Sequence, residues 1–192
     1  MTVAGLVLAA GAGRRFGGPK ALATLDGERF VDRAVRVLAD AGCASVVVVL
    51  GAAVADVPGA IVVVNDEWRE GIGSSLRAGL GSLTAGDATH VAVLLVDQPY
   101  VTSDAVRRVI ARRNETSAVV ATYGGRFGHP VLLKAEVWDA VSALAVGDFG
   151  ARPWMRAHPD EVLAVACDDL GSDVDVDTRE DLVRLTEGER PA

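Results

Sequence analysis

Positive charge is scarce in this chain. Nineteen Lys and Arg stand against 26 Asp and Glu in 192 residues, a net charge of −7. That balance argues against the extended basic face that general nucleic-acid or anionic-membrane binding needs. Cysteine is scarcer still. Cys43 and Cys167 are the two, neither with metal-ligand spacing around it, and they read as buried reduced thiols of a cytosolic protein. No apolar run approaches the roughly 20 residues of a membrane span. The first apolar run has no basic flank before it, so no signal peptide is read and a cytoplasmic location is expected. Repeats, low-complexity tracts and linkers are missing too. Residues 1–187 therefore read as a single domain, with 188–192 as a frayed tail.

What the chain does have is valine-rich runs alternating with Ala/Leu/Arg stretches of helical period, the pattern of an α/β fold. Strands are expected at Val3–Ala9, Ser45–Leu50, Ala60–Val64, His90–Val96, Ser117–Tyr123, His129–Leu133 and Val162–Ala166. Helices are expected at Phe30–Ala41, Gly73–Leu83, Thr102–Arg113, Glu136–Leu144, Pro153–Ala157 and Thr178–Thr186. The unbroken apolar strands fit a sheet covered on both faces. The pair flanking Gly124-Gly125 suits either a hairpin or a crossover. The whole is a single doubly wound, mostly parallel sheet, in which ligands sit beyond the C-terminal strand ends. The loop after the first strand, Asn65-Asp66 and Asp97 all fall on that edge.

The loop is the richest feature. Gly11-Ala12-Gly13-Arg14-Arg15-Phe16-Gly17-Gly18-Pro19-Lys20 combines glycines, which let backbone N–H groups approach a ligand, with three cations, a combination suited to polyphosphate. Its spacing is not that of the dinucleotide fingerprint, and Gly-Pro-Lys-Ala is not a P-loop. An NAD-linked oxidoreductase is disfavoured on that ground.

Leu8-Ala-Ala-Gly11, Arg15-Phe16-Gly17 and Pro19-Lys20 together resemble the signature loop of the MobA-like NTP transferases, with Gly13 where serine is frequent. Asn65–Leu80, Leu94–Pro99 (LLVDQP), Gly128-His129-Pro130, Gly147–Arg152 (GDFGAR) and Asp175–Asp181 follow in the expected order. The set is similar to the molybdenum-cofactor cytidylyltransferase branch of that family. The resemblance implies a nucleotide-diphospho-sugar transferase-like, Rossmann-like fold and transfer of CMP from CTP to the phosphate of molybdenum-molybdopterin, with release of pyrophosphate. It implies Mg²⁺ as cofactor and a molybdenum hydroxylase as a possible client.

The same resemblance places Leu8, Ala9, Ala10, Gly11, Ala12, Gly13, Arg14 and Lys20 around the nucleotide, with Lys20, Arg15 and Asp97 as catalytic groups. Ala10, where the guanylyl branch has glycine, tilts the base toward cytosine. Ser74 and Ser75 are candidates for base or ribose contacts, or for capping their helix. Asp97, at the tip of a buried strand, needs a partner. A helix cap or a Mg²⁺ ion would serve, and the phosphates of the loop favour the metal. Asp173, Asp175 and Asp177 alternate and would share a face if extended. The resemblance points to Asp175 or Asp177 as the second metal ligand; Asp175 is preferred, with Asp177 stabilising the start of the helix that follows as its alternative role. His129, Asp148 and Arg152 are implied at the second substrate, and Trp68, Trp138 and Trp154 read as packing groups. A sugar- or alditol-phosphate nucleotidyltransferase accounts for the loop but not for the later motifs. A non-catalytic molybdopterin carrier or maturation chaperone would not need Lys20 and Asp97.

Overall fold

A computed structural model of the chain describes residues 1–186; the expected tail at 188–192 lies outside them. The first strand, β1 (Thr2–Leu8), carries no polar side chain after Thr2 and is buried inside a seven-stranded sheet, next to its central strand. A short hairpin follows, β2 (Thr24–Leu25) and β3 (Glu28–Arg29), around Asp26-Gly27. Then come α1 (Phe30–Asp40), β4 (Ser45–Leu50), β5 (Ile61–Val64), α2 (Ile72–Leu83), β6 (Ala88–Leu95) and α3 (Ser103–Ala111). The chain closes with β7 (Ala118–Tyr123), β8 (Arg126–Lys134), α4 (Trp138–Leu144), α5 (Arg152–Ala157), β9 (Val162–Ala166) and α6 (Arg179–Thr186).

The spatial order is β5-β4-β1-β6-β8-β7-β9. All neighbours pair in parallel except β8, which lies antiparallel between β6 and β7. The Gly124-Gly125 turn thus makes a hairpin, and the doubly wound, mostly parallel sheet is the observed architecture. Helices cover both faces, so β4 and β6 are buried along nearly their whole length. One core holds Phe30, Leu38, Val106 and Val109 beneath α1 and α3. The other holds Leu76, Leu80, Val141 and Trp154 beneath α2, α4 and α5. Trp138 and Trp154 are packing groups, as their burial in the second core requires.

Successive connections run from β1 out to β4 on one side and return to β6 on the other. The switch between β1 and β6 leaves a crevice beyond Leu8 and Leu95, the positions where the two strands end in register.

Candidate active site

A cleft of about 530 Å³ opens at that crevice. Its walls are the β1 loop (Gly11 to Arg15), Lys20, the segment carrying Trp68 and Arg69, the start of α2, Asp97, Asp148 and Asp177. The loop is folded on itself: the Gly13 carbonyl accepts hydrogen bonds from the N–H groups of Gly17 (2.9 Å) and Gly18 (3.1 Å). Gly13 has φ +57°, and a Cβ there would overlap the Gly18 carbonyl oxygen. Glycine at 13 is thus a requirement of this turn, beyond the loss of a serine hydroxyl. Pro19 then starts a 3₁₀ turn, Lys20–Leu22, which aims Lys20 back into the cleft.

The Lys20 ammonium donates to Asp97 Oδ2 at 2.9 Å and to Asp177 Oδ1 at 2.7 Å. Its side chain is 13% exposed. Burial alone would lower its pKa, but Asp97 and Asp177 outweigh that and hold it above the ordinary lysine value. Arg15 Nη1 lies 3.0 Å from the other Asp177 oxygen. Asp97 stands two residues past β6. The carbonyl of Asp97 accepts from the Val176 N–H at 2.9 Å, which ties the 171–177 segment to the strand end.

That segment is not a strand, and its three aspartates do not share a face. Asp173 packs against Gly128. Asp175 accepts a hydrogen bond from Gln98 Nε2 at 3.0 Å and is off the cleft wall. Burial, then the Asp97 charge, raises its pKa. Asp177 faces Lys20. Buried Val176 fixes the path of the chain, and of the two candidate carboxylates Asp177 is the one brought to Asp97 through a shared partner, Lys20. Nor does the Asp177 side chain serve α6. A Thr178–Asp181 capping box does that, with reciprocal bonds of 3.1 and 2.7 Å.

The serines also differ from expectation. Gly71 is the N-cap position of α2, with no side-chain cap. Ser74 and Ser75 hydroxyls instead accept from buried Asn65 Nδ2 at 2.9 and 3.1 Å. Ser75 reaches the cleft wall and Ser74 does not. In the loop, Leu8, Ala10, Gly11, Ala12, Gly13 and Arg14 line the cleft, while Ala9 is packed in the core. The Ala9 N–H donates to the Val49 carbonyl and the Ala10 carbonyl accepts from Ala52 N–H, both at 2.9 Å. Those two groups serve the sheet rather than a base.

Arg69 escapes the sequence reading, and Trp68, expected as a packing group, also lines the cleft. Arg69 stacks over Trp68 at 4.4 Å from the ring centroid and adds a cation to the cleft. Trp68 seats on Gly51, where a Cβ would come within 2.6 Å of the Trp68 Cβ. Their position directly after the strand-end Asn65 was the available signal.

A second cavity of about 220 Å³ shares Leu8, Ile72, Leu95 and Asp148 with the cleft. It gathers His129, Asp148 and Arg152, with Phe127 and Phe149 at 48% and 57% exposure. Leu76, Val93, Val131 and Met155 make the rest of it apolar. The His129 Nδ1 is enclosed without a partner. Burial, with Arg152 adding to it, pushes the imidazole down to about 4, so the ring is neutral at neutral pH.

The donor set of the cleft suits a hard divalent cation. Two carboxylates already surround one cationic nitrogen, and such ions take one or two carboxylates plus phosphate and water. Among the described residues no group of three or more His, Cys, Asp or Glu converges on one point, so further ligands would come from the nucleotide and solvent.

A doubly wound sheet with a cationic glycine turn facing paired carboxylates defines a nucleotidyltransferase fold. Residues 5–162 match the MobA-like NTP transferase domain, and the chain belongs to that family. It is 38% identical over 197 residues to nicotine blue oxidoreductase of Paenarthrobacter nicotinovorans, covering 95% of this chain and 96% of that protein. It is 41% identical over 100 residues to a probable molybdenum cofactor guanylyltransferase of Opitutus terrae, covering 52% and 50%. The crystal structure of Rv0371c from Mycobacterium tuberculosis H37Rv in complex with manganese superposes with TM-score 0.80 at 29% identity, over 98% of this chain and 100% of that one.

Proposed function

We propose that the protein transfers CMP from CTP to the phosphate of molybdenum-molybdopterin, releasing pyrophosphate. The observation that carries this reading is the Lys20–Asp97–Asp177 centre, which faces the glycine turn across one cleft and adjoins a second, apolar cavity.

An oxygen of the pterin phosphate attacks the α-phosphorus in line. The bond to the β-phosphate oxygen breaks, and pyrophosphate leaves with the electron pair. The nucleophile is already anionic, so no side chain need remove a proton. The barrier is charge: two anions must meet and a third must leave. Lys20, Arg14, Arg15 and Arg69 supply positive charge along the cleft, where preorganised cations act most strongly. Mg²⁺, held by Asp97 with Asp177, would neutralise phosphate charge when bound; Asp175 stands close by, hydrogen-bonded to Gln98.

The second cavity supports a ring over a polyol. Apolar walls and exposed phenylalanines suit a flat heterocycle. Arg152 at the same cavity suits the substrate's phosphate. Ala10 on the cleft wall favours the smaller base, by about 1–3 kcal/mol.

A second reading, an oxidoreductase, is favoured by the similarity to nicotine blue oxidoreductase over 95% of this chain and 96% of that protein. One experiment separates the two. Pyrophosphate release is measured with each NTP, with and without molybdenum cofactor, alongside oxidation of NADH and NADPH. CTP-dependent release is expected, falling by orders of magnitude in Lys20→Ala and Asp97→Ala. Near-normal release in either variant rejects their roles; dinucleotide oxidation without pyrophosphate release establishes the second reading.

A further inference from the structure

We infer that Lys20 serves as an internal counter-cation, which closes the Asp97–Asp177 pair to free divalent metal until nucleotide phosphates draw it away. The inference rests on the nucleotidyl-transfer reading for what opens the pair, but not for what closes it.

The ammonium sits 2.9 Å from an Asp97 oxygen and 2.7 Å from an Asp177 oxygen, and these residues lie 77 and 157 positions away in sequence. Such a convergence makes one cation position, and the protein fills it with its own side chain. A divalent ion bound to the same oxygens stands about 2.0–2.1 Å from them. It would overlap the ammonium and be repelled by its charge, so the two occupancies are mutually exclusive.

The surroundings make the position costly to leave empty. Asp175 brings a third carboxylate close enough to feel Asp97 and Asp177, and Gln98 holds it there. Arg15 neutralises only the far oxygen of Asp177, from a side chain 76% exposed. Without Lys20 the centre would be strongly anionic. The cleft in front of it is lined by the turn from Gly11 to Arg15, where a triphosphate would offer Lys20 an alternative set of anionic oxygens. Phosphate then takes the ammonium, and the freed carboxylates take the metal. Metal and nucleotide bind with positive, reciprocal coupling.

The arithmetic is that of a binding-competent state populated only in part. If the open form is about 1–10% of the nucleotide-free protein, apparent metal affinity is reduced about ten- to a hundredfold. The test is titration of Mn²⁺ followed by the electron paramagnetic resonance of the free ion, on full-length protein without nucleotide. Lys20→Met and Lys20→Gln are expected to bind Mn²⁺ about ten- to a hundredfold more tightly than wild type. Lys20→Arg, which keeps the charge, is expected to stay near wild type, and Asp97→Asn added to Lys20→Met to abolish the gain. Circular dichroism confirms that each variant folds. Added CTP is expected to tighten Mn²⁺ binding more in wild type than in Lys20→Met. Neutral variants that gain no affinity, a gain that survives Asp97→Asn, or equal tightening by CTP each overturn the inference. Failure of the transfer reading shows differently, as wild-type protein that releases no pyrophosphate from any NTP.

Discussion

Replacing Gly13 with alanine tests the loop geometry directly. A non-glycine residue in the left-handed region costs about 1–2 kcal/mol, and Gly13 sits there at φ +57°. The added methyl group also overlaps the Gly18 carbonyl. Relieving that overlap pulls apart the turn in which Gly17 and Gly18 donate to the Gly13 carbonyl. Each bond has a net worth of about 0.5–1.5 kcal/mol. The closed turn should therefore lose about 2–5 kcal/mol, which weakens Mg·CTP binding roughly thirty- to several-thousandfold if the ligand needs the closed form. Isothermal titration calorimetry measures this. Gly18→Ala is the control: it lies in the same loop, without positive φ, and no heavy atom stands within 4 Å of its Cβ position. Thermal melting confirms that both variants fold. Gly13→Ala that binds within threefold of wild type, or Gly18→Ala that is equally impaired, refutes the reasoning.

Asn65→Ala should lower the melting temperature by roughly 5–10 °C, from about 2–3 kcal/mol of lost and unpaired hydrogen bonds at Ser74, Ser75 and the Glu67 N–H; an unchanged melt would reject its bracing role. Stability should also fall with acid through His129. The unfolded ring takes its proton near 6.5, the folded one only at about 4, so below pH 6.5 protons favour the unfolded chain. The loss builds to roughly 2–3 kcal/mol by pH 4, and above 6.5 this contribution is flat. Urea midpoints of wild type against His129→Asn, measured from pH 4 to 8, should converge as pH falls; parallel curves would show that the ring is not held neutral.

Much of the fold was legible because each apolar run is long enough to name its own element. The buried strands at Val3–Ala9, Ser45–Leu50 and His90–Val96, and the amphipathic α1 and α3, follow from local pattern alone. The place of β8 between β6 and β7 does not, since strand partners are chosen by tertiary packing. The Asp26-Gly27 signal for the small β2–β3 hairpin was present but flanked by strands too short to show a period.

The cleft divides in the same way. Lys20 and Asp97 meet as the order of motifs implied. Strand alternation puts Asp173, Asp175 and Asp177 on one face, but the stretch forms no strand; what aims Asp175 and Asp177 is Val176, anchored to the Asp97 carbonyl by a backbone bond no local pattern encodes. For the serines at 74 and 75 the sequence offers base or ribose contacts, or capping, because helix starts favour serine. Only the folded chain places the Asn65 amide within reach of both.

The bridge from Lys20 to Asp177 spans 157 residues, and this has a bearing on synthesis. A polypeptide still tethered at the ribosome can pair β1 with β4 and β6 once those segments have emerged, yet it has no means of finishing the charged centre. Substrate binding should therefore switch on late and abruptly, once the region around Asp177 is free to reach Lys20. Stalled or truncated products, however well collapsed, would be catalytically silent.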